Sequence, residues 1–154
     1  MKRKIVLLVL LALPLVLYIY FSLVKHNSLY LPVITKNVSE LPQGKTFTKD
    51  SVKLEGQITV LGFTGTDVAR KKESIFNINQ KINSRYKDFT DFQIVMVAPE
   101  GTEGDVQKLQ ADIKTMADTY NWKFVFLPVD KINALYASLK AKEPLDNNHG
   151  TFNI

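Results

Sequence analysis

ITVLGFTGTDVARK, residues 58–71, decides the fold class. Ile58–Phe63 is a near-continuous apolar run, the pattern of a strand covered on both faces. Gly62 and Gly65, set among Thr64 and Thr66, supply a strand-exit turn. Asp67 to Lys71 then opens a helix, with Thr66 or Asp67 as its cap. A strand that passes through a short loop into a helix is the unit of an α/β domain. The loops at the carboxyl ends of such strands are where ligands and catalytic groups gather. Here the loop carries Thr64, Thr66, Asp67 and Arg70 and no cysteine.

The pattern repeats downstream. Ile75, Ile78, Ile82, Tyr86 and Phe89 form a helical stripe. Phe92–Ala98 is a second buried strand, closed by Pro99-Glu100-Gly101. Thr102 caps the next helix, with Glu103 and Asp105 in its first turn. The stripe of that helix is Val106, Leu109, Ile113, Met116 and Tyr120. Trp122–Val129 is a third strand, and Asp130 is the expected N-cap of a third helix with Ile132, Leu135, Tyr136 and Leu139 on its apolar face. Alternating β and α elements predict parallel strands joined by right-handed crossovers. Upstream, the Gly turn and Thr/Phe alternation of residues 42–48 predict a small hairpin. Lys140 to Ile154 reads as a loop followed by the start of a strand.

The N-terminus has a different solvent in view. Met1-Lys2-Arg3-Lys4 precedes Ile5 to Val24, twenty residues without a charge. At ~1.5 Å per residue they span the ~30 Å hydrocarbon core. The run exceeds a signal-peptide core and ends without a small-x-small cleavage site. It reads as an uncleaved signal anchor over residues 1–25, with 26–41 as linker and 42–154 as the folded domain. Basic residues ahead of the span place the N-terminus in the cytoplasm and the domain on the extracytoplasmic, periplasmic side of the cell (inner) membrane.

Composition narrows the chemistry. The net charge is +5, but Lys2, Arg3, Lys4 and Lys25 supply four of the twenty basic residues. The remainder of the chain holds sixteen basic against fifteen acidic residues, so the charge reports topology and points to no nucleic-acid partner. With no cysteine there is no thiolate to act as nucleophile or soft Cu(I) ligand. No Gly-x-Ser-x-Gly elbow, Walker loop or Gly-x-Gly-x-x-Gly motif is present. Arg70-Lys71-Lys72 reads as a solvated basic face, or as a contact for an acidic partner or lipid headgroup. His149, three residues after Asp146, reads as a loop or cap residue, or as a ligand position left without its companions.

The layout resembles the Sco/SenC family of membrane-anchored, thioredoxin-like copper chaperones that assist cytochrome c oxidase assembly. Residues 42–154 carry the resemblance: the Gly44-Lys-Thr-Phe-Thr48 turn, the Lys53-Leu-Glu-Gly56 lead-in, the Thr59–Phe63 strand with Phe63-Thr64 before the loop, and Asn148-His-Gly-Thr-Phe152. It implies a thioredoxin-like fold with parallel central strands and flanking helices. The family's copper-site cysteines fall on Thr66 and Arg70, and its histidine falls on His149. Two of the three ligands are therefore replaced, one by a cation that repels Cu⁺. The family's C-terminal hairpin and helix have no counterpart here. No cofactor, metal or catalytic residue is expected. Retained buried strands and helical stripes without the ligand set lead to the expectation of a non-enzymatic binding or scaffold protein of the cell envelope or respiratory chain, with a protein partner. Alternatives are a Sco-like assembly or copper-delivery factor, an enzyme or carrier using a non-thiol site at Thr64, Asp67, Arg70 and His149, or a fragment of a longer Sco-like protein.

Overall fold

The computed structural model describes residues 2–23, 33–48, 51–115, 118–146 and 148–151. The chain divides into two units, 1–33 and 34–154. In the first, α1 (Lys2–Leu23) carries Pro14 in its interior and is long and apolar enough to cross a membrane. Tyr18 and Tyr20, near its C-terminal end, are exposed. Val24, the last residue of the expected span, lies outside the described residues.

The second unit is a mixed α/β domain. Its strands are β1 (Lys45–Thr46), β2 (Ile58–Phe63), β3 (Phe92–Pro99) and β4 (Trp122–Leu127), in the order β1-β4-β3-β2. β2, β3 and β4 run parallel, in the register Ile58↔Phe92 and Ile94↔Trp122, as the alternation predicts. β1 pairs antiparallel with β4, Lys45 opposite Phe126, so the expected hairpin at residues 42–48 does not form. Gly44 allows that pairing: a Cβ there would stand 2.6 Å from Phe126 O and 2.9 Å from Val125 Cγ1. Only a residue without one lets the chain lie this close to β4.

Every residue of β3 is buried. β2 departs from the expected two-sided burial: it is the edge strand, Ile58 is 60% exposed, and full burial begins only at Gly62. Two cores flank the sheet. One holds Ile94, Met96 and Phe124 under Ile75, Val106, Leu109 and Ile113. The other holds Phe63, Val95, Val97 and Leu127 under Ile132 and Leu135 of α5 (Val129–Ser138). Tyr136 and Leu139 pack at its margin.

The helical segments depart from the expected caps and stripe in three places. The first crossover is a 3₁₀ turn (Ala69–Lys71), α2 (Lys72–Ile78), a π-helical turn (Asn79–Asn83) and the short α3 (Ser84–Tyr86). The wide turn breaks the stripe after Ile82, leaving Tyr86 48% and Phe89 55% exposed. Asn79 and Asn83 are buried instead, and Asn83 Nδ2 donates to Asn79 Oδ1 and Asp118 O, each at 2.9 Å. In α4 (Glu103–Lys114), Thr102 holds the cap position but its hydroxyl donates to Pro99 O, while Glu103 Oε2 accepts from Gly101 N. Of the α4 stripe, Tyr120 is exposed beyond the helix end and Met116 lies outside the described residues. α5 starts after Pro128, whose carbonyl accepts from Ile132 N, and Asp130 sits in the first turn without capping.

Part of the expected linker belongs to the folded unit. Thr35 Oγ1 donates to Leu139 O at 2.7 Å, and Leu41 packs against the second core. Glu40 accepts from Leu54 N at 2.8 Å and Glu55 N at 2.6 Å. Those two backbone donors, aided by Leu41 N–H and the Lys53 charge, hold its carboxyl below the ordinary value of 4.5 against a small opposing push from burial. A lowered folded value means that this contribution is present at neutral pH and is lost as pH falls through that value. Glu40→Gln is expected to speed amide exchange at Leu54 and Glu55 while leaving β3 amides unchanged. Equal exchange at Leu54 in both proteins would show that the contact does not hold this turn.

Candidate functional site

The site is assembled where β2 ends. Thr64 N donates to Val97 O, extending the β2–β3 ladder by one residue, and Thr64 bridges antiparallel to Gly150. Gly65 then turns with φ +71, a conformation that costs a side-chain-bearing residue about 1 kcal/mol. A Cβ on it would overlap Asn148 O, so the turn and the late loop lie backbone against backbone. Two further bonds seal them: Thr66 N to Asn148 O at 2.8 Å and Thr151 N to Phe63 O at 3.1 Å.

Beneath this seam lies an ion pair, one member of which, Lys71, is expected from the sequence on a solvated basic face. Lys71 is buried, and its Nζ donates to Asp146 Oδ2 at 2.6 Å, with side-chain exposures of 7% and 16%. The other carboxylate oxygen, Asp146 Oδ1, accepts from Asn148 N at 2.9 Å and Gly150 N at 2.7 Å. Main-chain bonds Asp146 N to Gly150 O and His149 N to Asp146 O close the loop on itself. Burial is the strongest single influence on Asp146 and pushes its carboxyl up. The Lys71 hydrogen bond and charge, with the Gly150 and Asn148 N–H groups, outweigh it and hold the group below 3.8. Gly150 fits here because a Cβ would stand 3.1 Å from Lys71 Cε and 3.3 Å from Asp146 Oδ2.

Helical phase is the signal that was available. Lys71 stands four residues before Ile75 and seven before Ile78, on the apolar face of the helix it begins. Its neighbours follow the expected reading. Arg70 and Lys72 are exposed, and Lys72 pairs with Asp112 at 2.6 Å.

The residues singled out from the sequence are not gathered into one pocket. Thr64 is fully buried and its hydroxyl faces Gly65 O at 3.2 Å and Val97 O at 3.5 Å. Asp67 Oδ1 accepts from Arg70 N at 3.3 Å, so Asp67, not Thr66, supplies the side-chain acceptor at the start of the first helical turn, whose cap position is Val68. The side chains of Thr66 and Arg70 lie exposed on the loop. His149 adopts φ +62 and sets its Nδ1 3.2 Å from Asn133 Oδ1 of α5. Among the described residues no group of three His, Asp or Glu side chains is placed to hold a metal ion. No hydrogen bond or ion pair joins the side chains of Thr66, Arg70 and His149. Comparison with protein-family models, curated proteins and solved structures finds no match to this chain.

Proposed function

We propose that this is a single-span membrane protein that displays a thioredoxin-like domain on the extracytoplasmic side and acts there as a binding or assembly partner in the envelope or respiratory chain. The N-terminal span supports the anchor, and the basic residues ahead of it support the orientation. The parallel β2-β3-β4 order with helices on both faces supports the fold type.

One observation carries the functional reading. The polar groups at the strand exit are spent on each other: Lys71 on Asp146, Asp146 on two backbone N–H groups, and Asp67 on Arg70 N. A site built for chemistry keeps an activated group open to a substrate. Here the late loop is locked onto the exit loop, which makes a rigid surface with Thr66 and Arg70 displayed on it. Such a surface suits recognition by a partner.

Cu(I) titration of the full chain in detergent, read by competition with a chromogenic chelator, tests this. The expected result is no sub-micromolar binding. Tight Cu(I) binding that disappears in His149→Ala would establish the copper-delivery reading in its place.

A further inference from the structure

β2 is the edge of the sheet, and its backbone has a definite phase. Ile58 N donates to Asp91 O and Thr64 N to Val97 O, so the even-numbered residues face β3. Thr59, Leu61 and Phe63 therefore turn their N–H and C=O groups outward. Phe63 is served by Thr151, through Phe63 N to Thr151 Oγ1 at 3.2 Å and Thr151 N to Phe63 O at 3.1 Å. Among the described residues, the outward backbone groups of Thr59 and Leu61 have no such partner.

These two residues line a slot of about 630 Å³. Its far wall is the strap of residues 35–40, pinned at one end by Thr35 on Leu139 O and at the other by Glu40 on Leu54 and Glu55. Val38, Leu54, Leu61 and Leu139 supply apolar lining. The rim carries Lys36, Glu40 and Glu55, one basic residue against two acidic ones, with Glu40 held by the Leu54 and Glu55 N–H groups. A slot of low charge, one excess negative, beside the outward main-chain donors and acceptors of Thr59 and Leu61 complements an extended backbone without acidic side chains. The direction is set by continuity, because Gly150 and Thr151 already add to the end of this edge in the antiparallel sense.

We propose that this slot takes an extended segment of a partner protein, which adds to β2 as an antiparallel strand with alternate apolar side chains turned onto Leu54, Leu61 and Leu139. The proposal rests on the binding-partner reading above and names the class of partner. Main-chain bonds supply the affinity in this mode and the lining selects side chains.

The test uses the full chain in neutral-lipid nanodiscs and a labelled, capped octapeptide of alternating threonine and valine with a lysine at each end, read by fluorescence anisotropy. Saturable binding is expected. N-methylation of every second peptide nitrogen should weaken it about tenfold or more in one phase and leave it nearly unchanged in the other, since one phase faces β2. Val38→Arg, a change on the exposed strap, should fill the slot and weaken binding about tenfold without lowering Tm. Absent binding, or equal loss in both methylation phases, overturns the proposal. So does binding that emerges only when the chain is ended after Thr151, or a dimer of the full chain that Val38→Arg dissolves, since the occupant would then be this chain itself. The copper titration reads the strand exit independently, so either result can fail without the other.

Discussion

Asp146→Ala is expected to destabilise the folded unit by about 3–5 kcal/mol, the range found when one member of a buried ion pair is removed. The substitution leaves the Lys71 ammonium buried without this carboxylate and deprives Asn148 N and Gly150 N of their acceptor. The unit has one way to limit the damage, which is to release residues 146–151 and let Lys71 reach water. Release forfeits the bonds Thr66 N to Asn148 O, Thr151 N to Phe63 O and Phe63 N to Thr151 Oγ1. At ~1 kcal/mol each those bonds amount to about 3 kcal/mol, so both routes arrive at a similar loss. Urea melts followed through Trp122 should show the loss in unfolding free energy, and thermal melts should show Tm lower by roughly 10–20 °C. A variant within about 1 kcal/mol of the parent would mean that the pair is not buried in solution.

The double variant Lys71→Met with Asp146→Asn separates charge from geometry. The asparagine oxygen can still accept from Asn148 N and Gly150 N, and no charge is left buried. Its loss should be smaller than that of Asp146→Ala alone, because paired removal spares the desolvation penalty. The pH dependence has a definite sign. The Asp146 carboxyl is held below 3.8 in the folded chain, so the stability it contributes is present above that value and is lost as pH falls through the lower, folded one. Protection of the amides of residues 148–151 should therefore hold steady from pH 7 to about pH 5 and decline only in stronger acid. Asp146→Asn should remove that acid dependence.

What could be read from the sequence divides along physical lines. β3 and β4 are legible because unbroken apolar runs such as FQIVMVA and WKFVFL have few other places to go. Ile132 and Leu135 are legible for the same reason on a helix. β1 is not, because two residues carry no period and their strand character comes wholly from lying beside Val125 and Phe126. The exposure of Ile58 follows from strand order, which a single run of residues does not encode. The π-helical turn hides Asn79 and Asn83, whose burial depends on mutual bonding and on Asp118 O from a distant segment. Lys71 and Asp146 are seventy-five positions apart, and their meeting is set by the seam between two loops. The exit loop itself is legible from its strand and its glycines. The inward bonding of Lys71 there is not, since it depends on the late loop that brings Asp146.

Gly65→Ala isolates the seam itself, and its expected cost is about 3 kcal/mol. Two contributions enter. Holding alanine at φ +71 costs about 1 kcal/mol, whatever surrounds it. The new methyl group would then overlap Asn148 O and stand 2.9 Å from Gly150 N. Both are backbone atoms of residues whose N–H groups bond to Asp146, so neither can swing aside as a side-chain tip would. The late loop has to shift, and the Thr66 N to Asn148 O bond and the Thr64–Gly150 bridge are lost, for about 2 kcal/mol more. Gly56 provides the control: its φ is +72, yet nothing lies within 4 Å of a Cβ built there. Gly56→Ala should therefore show the conformational cost alone, and the difference between the two variants measures the seam. Amide exchange at residues 148–151 should accelerate in Gly65→Ala and stay at the parent rate in Gly56→Ala. If the two alanine variants prove equally stable, the late loop is not docked on the exit of β2. The rigid surface that displays Thr66 and Arg70 would then lose its physical basis.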